Sequence, residues 1–157
     1  NKAFCAGADL KTYTIDYATR PEAEFRERYT DGTGFGGITR GLDIDKPIVA
    51  AINGFAISGG LELAEACDIR FCSPNAEFAH QDVNWGFHPC DGGCVRLPQI
   101  VGLGNAMEMI LSGERINAEH EAVAEAATQG LQHAVQAGTL LLEAKSQVPH
   151  GEWLYWL

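Results

Sequence analysis

One stretch of the chain, residues 46–68, restricts the fold more than any other. An apolar run rich in β-branched residues, 48–52, is closed by Asn53-Gly54 and leads on to a glycine pair, Gly59-Gly60. This pattern predicts a buried strand, a turn and then the N-terminus of a helix. Because glycine has no Cβ, a ligand atom can approach the first amides of that helix, where the helix dipole favours negative charge. The stretch therefore predicts an anion-binding site.

The residues at and after this glycine pair decide which chemistry the site can serve. A phosphate-binding loop needs Lys and then Ser or Thr, but Gly60 and Leu61 stand at those positions. A dinucleotide-binding turn needs Gly-x-Gly-x-x-Gly, which is absent here. Glu62 follows Gly59 by one helical turn, and its carboxylate suits proton transfer beside an oxygen that becomes negative, as in an enolate. The alternative is that Glu62 only complements the helix dipole.

Motifs on both sides of this stretch form a longer pattern with it. They are 1–10 (Asn-Lys-Ala-Phe-Cys-Ala-Gly-Ala-Asp-Leu), 59–62 (Gly-Gly-Leu-Glu), Asp82, Gly92-Gly93 and 96–98 (Arg-Leu-Pro). Over residues 1–119 the pattern resembles the crotonase family, the enoyl-CoA hydratases and isomerases. The resemblance implies an α/β fold, a crotonase-like spiral core of ββα repeats that is incomplete at the N-terminus. A helical segment, 120–157, is expected to follow this core.

The resemblance also implies a set of site residues. In the family, two backbone N–H groups bind the thioester oxygen of an acyl-CoA, and by position they belong to Ala8 and Gly59. Glu62 and Asp82 fall on the two catalytic carboxylates, although most hydratases of the family have Glu at the second place. Asp91 is a third candidate acid, as in isomerases that move double bonds, but the residue pattern favours a helix N-cap there.

We therefore expect a hydratase or isomerase that acts on the double bond of an α,β-unsaturated acyl-CoA. The family implies no cofactor beyond the coenzyme A of the substrate, and it implies a homo-oligomer, a trimer or hexamer. The competing hypothesis, from another class, is a non-catalytic truncated or chimeric fragment whose helical tail mediates association.

Charge and cysteine content limit the other partners. A net charge of −10 over 157 residues argues against nucleic acid or an anionic membrane surface. We expect no membrane span and no signal peptide, and hence a cytoplasmic protein with reduced cysteines. Cys90 and Cys94 lie near His80 and His88, but the spacing of these residues is not that of a metal site, so we expect no metal.

The remaining segments carry weaker patterns. Residues 11–40 are predicted to be irregular apart from a short amphipathic helix at 21–29. The glycines at 32–37 have dinucleotide-motif spacing but follow no strand, which favours a loop. Strands are predicted at 69–72 and 76–79, and helices at 95–101 and 105–112. Between them, the loop 80–93 is expected to form a wall of the site, with Trp85 and Phe87 lining its pocket.

Both ends of the chain are expected to depart from the family pattern. No Met precedes Asn1, and residues 2–5 enter directly into a predicted strand, so the family's first strands and helix are expected to be missing. At the other end, residues 137–157 resemble a segment of a phage-associated family of unknown function. We expect apolar surface at both junctions to favour oligomers or aggregates.

Overall fold

The computed structural model describes residues 2–29 and 31–118. Its helices and strands follow in the order β1 (Ala3–Cys5), α1 (Leu10–Thr19), α2 (Glu22–Tyr29), β2 (Val49–Ile52), β3 (Phe55–Ile57), α3 (Gly59–Ala66), β4 (Ile69–Cys72), β5 (Glu77–Ala79), α4 (Gly93–Val101), α5 (Leu103–Ser112) and β6 (Ile116–Asn117). Two short 3₁₀ turns, Phe35–Gly37 and Gln81–Trp85, precede β2 and α4.

The strands form two sheets, and strands β1 to β5 alternate between them. In the first sheet β3 lies between β1 and β5 and is parallel to both, while β6 joins β5 in the antiparallel direction. In the second sheet β2 pairs with β4 in parallel. Each repeat of two strands therefore gives one strand to each sheet before the chain enters a helix. This is the ββα arrangement that the family resemblance implies.

Small residues allow α3 to pack closely on the first sheet. A Cβ on Gly60 would collide with the carbonyl oxygen of Cys5 in β1, so a side chain cannot be accommodated there. Ala56 in β3 and Ala64 in α3 are fully buried as well. The second glycine of the pair is thus needed for helix–strand packing, and the first remains available to the site.

Three sequence predictions were wrong in this part of the chain. Residues 10–19 form helix α1 inside the segment predicted to be irregular; none of its residues is buried, so no apolar stripe marks it in the sequence. A strand, β3, separates Asn53-Gly54 from Gly59, where only a turn was predicted. Strand β2 is not buried on both faces, because Val49 is 52% exposed and Ala51 faces outward as well.

The other predicted elements are confirmed with small shifts of their ends. Helix α2 begins directly after Pro21, and the glycines at 32–37 form turns rather than a nucleotide-binding loop. Helices α4 and α5 each begin two residues earlier than predicted and are separated by Gly102. No helix within residues 2–29 and 31–118 has both the length and the apolarity to cross a bilayer. The predicted tail, 120–157, lies outside the described residues.

Candidate active site

The candidate site lies where three neighbouring strands end. Because β1, β3 and β5 are parallel neighbours, the segments that leave their carboxyl ends meet on one side of the sheet. These segments are 6–8, 58–59 and 80–82. They border a cleft of about 280 Å³, and all five predicted site residues line it: Ala8, Gly59, Glu62, Asp82 and Asp91. The strand order thus brings together residues that are up to 83 positions apart.

The two predicted oxyanion segments lie against each other at the start of α3. Gly7 has φ +91°, and a Cβ placed on it would be 3.4 Å from the backbone nitrogen of Gly59. Among the described residues, no acceptor receives a hydrogen bond from the N–H of Ala8 or of Gly59. Two backbone donors are therefore free to bind an oxygen in the cleft.

Ser58, just before Gly59, has a strained backbone. Its φ of +50° is the only positive value at a non-glycine residue in the described ranges. Hydrogen bonds hold it on both sides, because its N–H donates to the Ala79 carbonyl at 2.8 Å and its own carbonyl accepts from Leu61 and Glu62. Such strain persists when surrounding contacts determine the conformation, and it often occurs at functional sites. Here it sets the direction in which the chain enters α3.

Glu62 is almost completely buried, with 2% of its surface exposed. Its Oε1 accepts hydrogen bonds from the N–H groups of Asp91 at 2.7 Å and Gly93 at 2.9 Å, whereas Oε2 has no partner among the described residues. Burial raises the pKa of Glu62 to about 6, although the two N–H donors act in the opposite direction. Near neutral pH this carboxyl group can therefore both hold and release a proton.

Asp82 lies on the 3₁₀ turn after β5 and is supported by two residues that sequence reasoning did not assign to the site. Its Oδ2 is 3.6 Å from Nδ1 of His80, whose Nε2 is 2.9 Å from Oε1 of Glu65. His80 and Glu65 are both buried. The sequence offered one signal for Glu65, since it follows Glu62 by three residues on an otherwise apolar helix and must share its buried face. His80 was predicted to lie in the loop that forms a wall of the site, and the only chemical role considered for it was that of a metal ligand.

The N-cap prediction for Asp91 was wrong, because Gly92 is the N-cap of α4. Asp91 Oδ1 instead accepts hydrogen bonds from the Phe35 N–H at 3.2 Å and Thr39 Oγ1 at 3.0 Å, and Arg40 lies 3.3 Å away. These contacts fasten the loop before β2 to the edge of the cleft. Its role as a third acid stays a prediction.

Aromatic side chains cover one side of the cleft. Tyr13 and Tyr17 of α1 each meet Phe25 of α2 and Phe87 edge to face, with ring centroids 5.6–5.8 Å apart. Tyr13, Phe25 and Phe87 line the cleft together with Trp85, which confirms the predicted lining role of the two loop aromatics. Helices α1 and α2 are therefore held over the site by ring contacts.

The cysteines do not suggest covalent chemistry. All five are free thiols. Cys90 lines the cleft, but burial raises its pKa to about 11, so at neutral pH it is a thiol and not a nucleophilic thiolate. Within the described ranges, no three His, Cys, Asp or Glu side chains are grouped as metal ligands would be.

Comparisons with known proteins identify the family and the fold. The family model described as "Enoyl-CoA hydratase/isomerase" matches residues 1–149, a range that reaches well into the segment where the phage-associated resemblance was expected. A "Carnitinyl-CoA dehydratase" of Proteus mirabilis is 39% identical over 145 residues, covering 92% of this chain and 51% of that protein. The chain thus spans about half the length of the curated relatives it matches.

Solved structures give the same result. An enoyl-CoA hydratase of Mycobacterium marinum superposes with a TM-score of 0.65 at 30% identity, over 90% of this chain and 54% of that one. An enoyl-CoA hydratase of Thermoplasma volcanium superposes with a TM-score of 0.63 at 34% identity, over 79% of this chain and 47% of that one.

Proposed function

Because this chain belongs to the enoyl-CoA hydratase/isomerase family, we propose that it adds water across the double bond of an α,β-unsaturated acyl-CoA. The observation that carries the proposal is a cleft in which two free backbone donors meet Glu62, whose pKa burial raises to about 6, and a second carboxylate, Asp82. The aromatic side of the cleft would receive the acyl group.

The N–H groups of Ala8 and Gly59 would bind the thioester oxygen. When water attacks the β carbon, electrons move to this oxygen and an enolate forms. Donors that are already in place stabilise the developing charge without reorganisation, and loss of one such donor typically costs about 10²- to 10³-fold in rate. The dipole of α3 acts in the same direction.

Glu62 and Asp82 would share the proton transfers. One carboxylate takes a proton from the attacking water, and the other carboxyl group gives a proton to the α carbon, so the pair must hold one proton at the start. Glu62 can carry that proton because its pKa is raised to about 6. After the reaction the carboxylate that acted as base carries the proton and the other carboxyl group has lost its proton. Exchange with solvent then restores the starting protonation of the pair.

A second candidate substrate is a betaine acyl-CoA. Carnitine has a quaternary ammonium group, and the relatives named carnitinyl-CoA dehydratase share up to 42% identity with this chain. Aromatic rings attract such cations. The lining of the cleft contains five aromatic residues, and it also contains Asp31, whose negative charge would complement the cation.

The test is incubation of the purified chain with crotonyl-CoA and, in parallel, crotonobetainyl-CoA, following the absorbance of the conjugated thioester. We expect absorbance to fall in wild type and the rate to drop about 10²- to 10⁴-fold in Glu62→Gln, with acyl-CoA binding retained in calorimetry. Turnover that is equal in Glu62→Gln and wild type would remove Glu62 from the mechanism.

Activity on neither substrate, together with no binding of acyl-CoA, would favour the non-catalytic alternative. Movement of a double bond without hydration would favour the isomerase, with Asp82 or Asp91 as its acid.

A further inference from the structure

The side chain of His80 lies between two carboxylates and is inaccessible to solvent. Its Nε2 meets Oε1 of Glu65 at 2.9 Å, and its Nδ1 faces Oδ2 of Asp82 at 3.6 Å. An ionised carboxylate can only accept hydrogen bonds, so each ring nitrogen facing one needs its own hydrogen. When both carboxylates are ionised, only the doubly protonated imidazolium can donate a hydrogen bond to each of them.

Two buried atoms without hydrogen-bond partners indicate that His80 and Asp82 can move closer together. Within the described ranges, His80 Nδ1 and Asp82 Oδ2 are buried and have no hydrogen-bond partner, and they face each other. A shift of a few tenths of an ångström would join them in a charge-assisted hydrogen bond. Catalytic hydrogen bonds are often long in the free enzyme and shorten when substrate binds.

Gly93 connects this arrangement with Glu62. A Cβ on Gly93 would lie 2.7 Å from Cε1 of His80, so the ring occupies space that only glycine leaves open. The N–H of the same residue donates to Oε1 of Glu62. One backbone position therefore lies against the His80 ring and also binds the Glu62 carboxylate.

We propose that Glu65 and His80 form a buried ionic chain that fixes the Asp82 carboxylate in the cleft, and that both are positioning residues for the hydration. The proposal rests on the proposed function. Packing alone does not explain why charged groups are buried here, since apolar side chains would fill the same space at lower desolvation cost. A role in positioning Asp82 does explain it.

The charges around His80 favour its cationic form. Burial opposes the charge of His80, but Asp82 and Glu65 outweigh burial and raise its pKa to about 9. Burial raises the pKa of Glu65, a rise that His80, Arg96 of α4 and Arg70 of β4 oppose. Glu62 of α3 also senses His80, whose positive charge lowers the pKa of that carboxyl.

The first experiment measures the ring directly, without substrate. Nitrogen-15 spectra of the histidine-labelled chain, with His80→Gln to assign the signals, report the protonation of both ring nitrogens. We expect the imidazolium pattern at pH 7.5 in wild type, and a lower titration midpoint in Glu65→Gln, where one negative charge is removed. A neutral His80 ring at pH 7.5 in wild type would overturn the proposal.

The second experiment follows crotonyl-CoA hydration in His80→Gln, which keeps a polar group of similar size but removes the charge. We expect kcat to fall about tenfold or more with KM changed less than threefold. We also expect both limbs of the pH–rate profile to move to higher pH, because the carboxylates lose a neighbouring positive charge. A role in packing alone would lower stability but would not move these limbs.

The outcomes separate the two proposals. An active wild type whose kcat and pH profile are unchanged in His80→Gln overturns the positioning role and leaves hydration standing. A wild type that hydrates no enoyl-CoA defeats the proposed function, and the positioning role for hydration falls with it; the nitrogen spectra then decide only whether the ionic chain exists. Should His80→Gln fail to fold, the double variant Glu65→Leu/His80→Leu replaces it, with the same expected loss of kcat.

Discussion

The substitution Glu62→Gln, which removes a group proposed to transfer protons, should also stabilise the protein. The pKa of Glu62 rises from 4.5 to about 6 on folding, mainly through burial, so ionising this group costs more in the folded than in the unfolded chain. A group with a raised folded pKa contributes stability that is fully present below pH 4.5 and is lost as pH rises through 6. At about 1.36 kcal/mol per unit, a rise of about 1.5 units corresponds to about 2 kcal/mol at pH 8.

Glutamine at position 62 is neutral at every pH and keeps the carbonyl oxygen that accepts from Asp91 and Gly93. Glu62→Gln should therefore exceed wild type in free energy of unfolding by about 2 kcal/mol at pH 8. For a domain of this size this is a rise of about 4–8 °C in Tm. Near pH 4.5 the advantage should nearly vanish.

The assay is urea unfolding of both proteins at several pH values, followed by tryptophan fluorescence. Glu108→Gln on α5 is a matched control, since this carboxylate is exposed and solvent screens its charge. The reasoning would be refuted if Glu62→Gln were no more stable than wild type at pH 8, or if its advantage were the same at pH 4.5. The first result would mean that ionised Glu62 is well solvated.

Three further predictions follow from particular contacts. Gly60→Ala should lower the free energy of unfolding by about 3 kcal/mol or more, because the new methyl group would collide with the backbone of β1. Gly104→Ala on α5 has open space around it and should stabilise the protein slightly. Thermal unfolding of the two variants measures this difference. Asp91→Asn should lower the free energy of unfolding by about 1–2 kcal/mol through loss of the Arg40 ion pair, yet change crotonyl-CoA hydration less than threefold; a larger loss of rate would favour the third-acid role. The pKa of His80 is about 9 in the folded chain against 6.5 in the unfolded chain, so the stabilisation by protonated His80 is fully present below pH 6.5 and is lost as the pH rises through 9. In urea unfolding, the free energy of unfolding of wild type should therefore fall by about 3 kcal/mol over this pH range. The fall should be much smaller in His80→Gln.

Local sequence signals predicted the parts of the site that neighbouring residues determine. The glycine pair and Glu62 needed only the order strand, turn, helix, since the offset of one helical turn fixes where the carboxylate stands relative to the first amides. The ends of α4 and α5 followed from glycines that interrupt the apolar pattern. For these elements, the structure that the local sequence favours is the structure that the fold contains.

Contacts between distant segments account for what the sequence did not reveal. Helix α1 has no buried face and is held by the rings of Tyr13 and Tyr17 against residues of α2 and the 80–93 loop. Asp91 looked like a helix cap because its partners at Phe35 and Thr39 are more than 50 positions away. The spacing from Glu62 indicates that Glu65 is buried, but only the parallel pairing of β3 with β5 brings its partner, His80, beside it.

The Glu65–His80 pair limits how this protein can change by single amino-acid replacements. Breaking a buried ion pair by losing one member typically costs about 3–5 kcal/mol, which is a large part of the 5–15 kcal/mol that stabilises an ordinary domain. Replacing both members by apolar residues is often neutral. Any series of single steps between the charged pair and an apolar pair therefore passes through a weakened intermediate. In a saturation-mutagenesis library, substitutions at these two positions should show sign epistasis, each harmful alone and tolerated for folding only together.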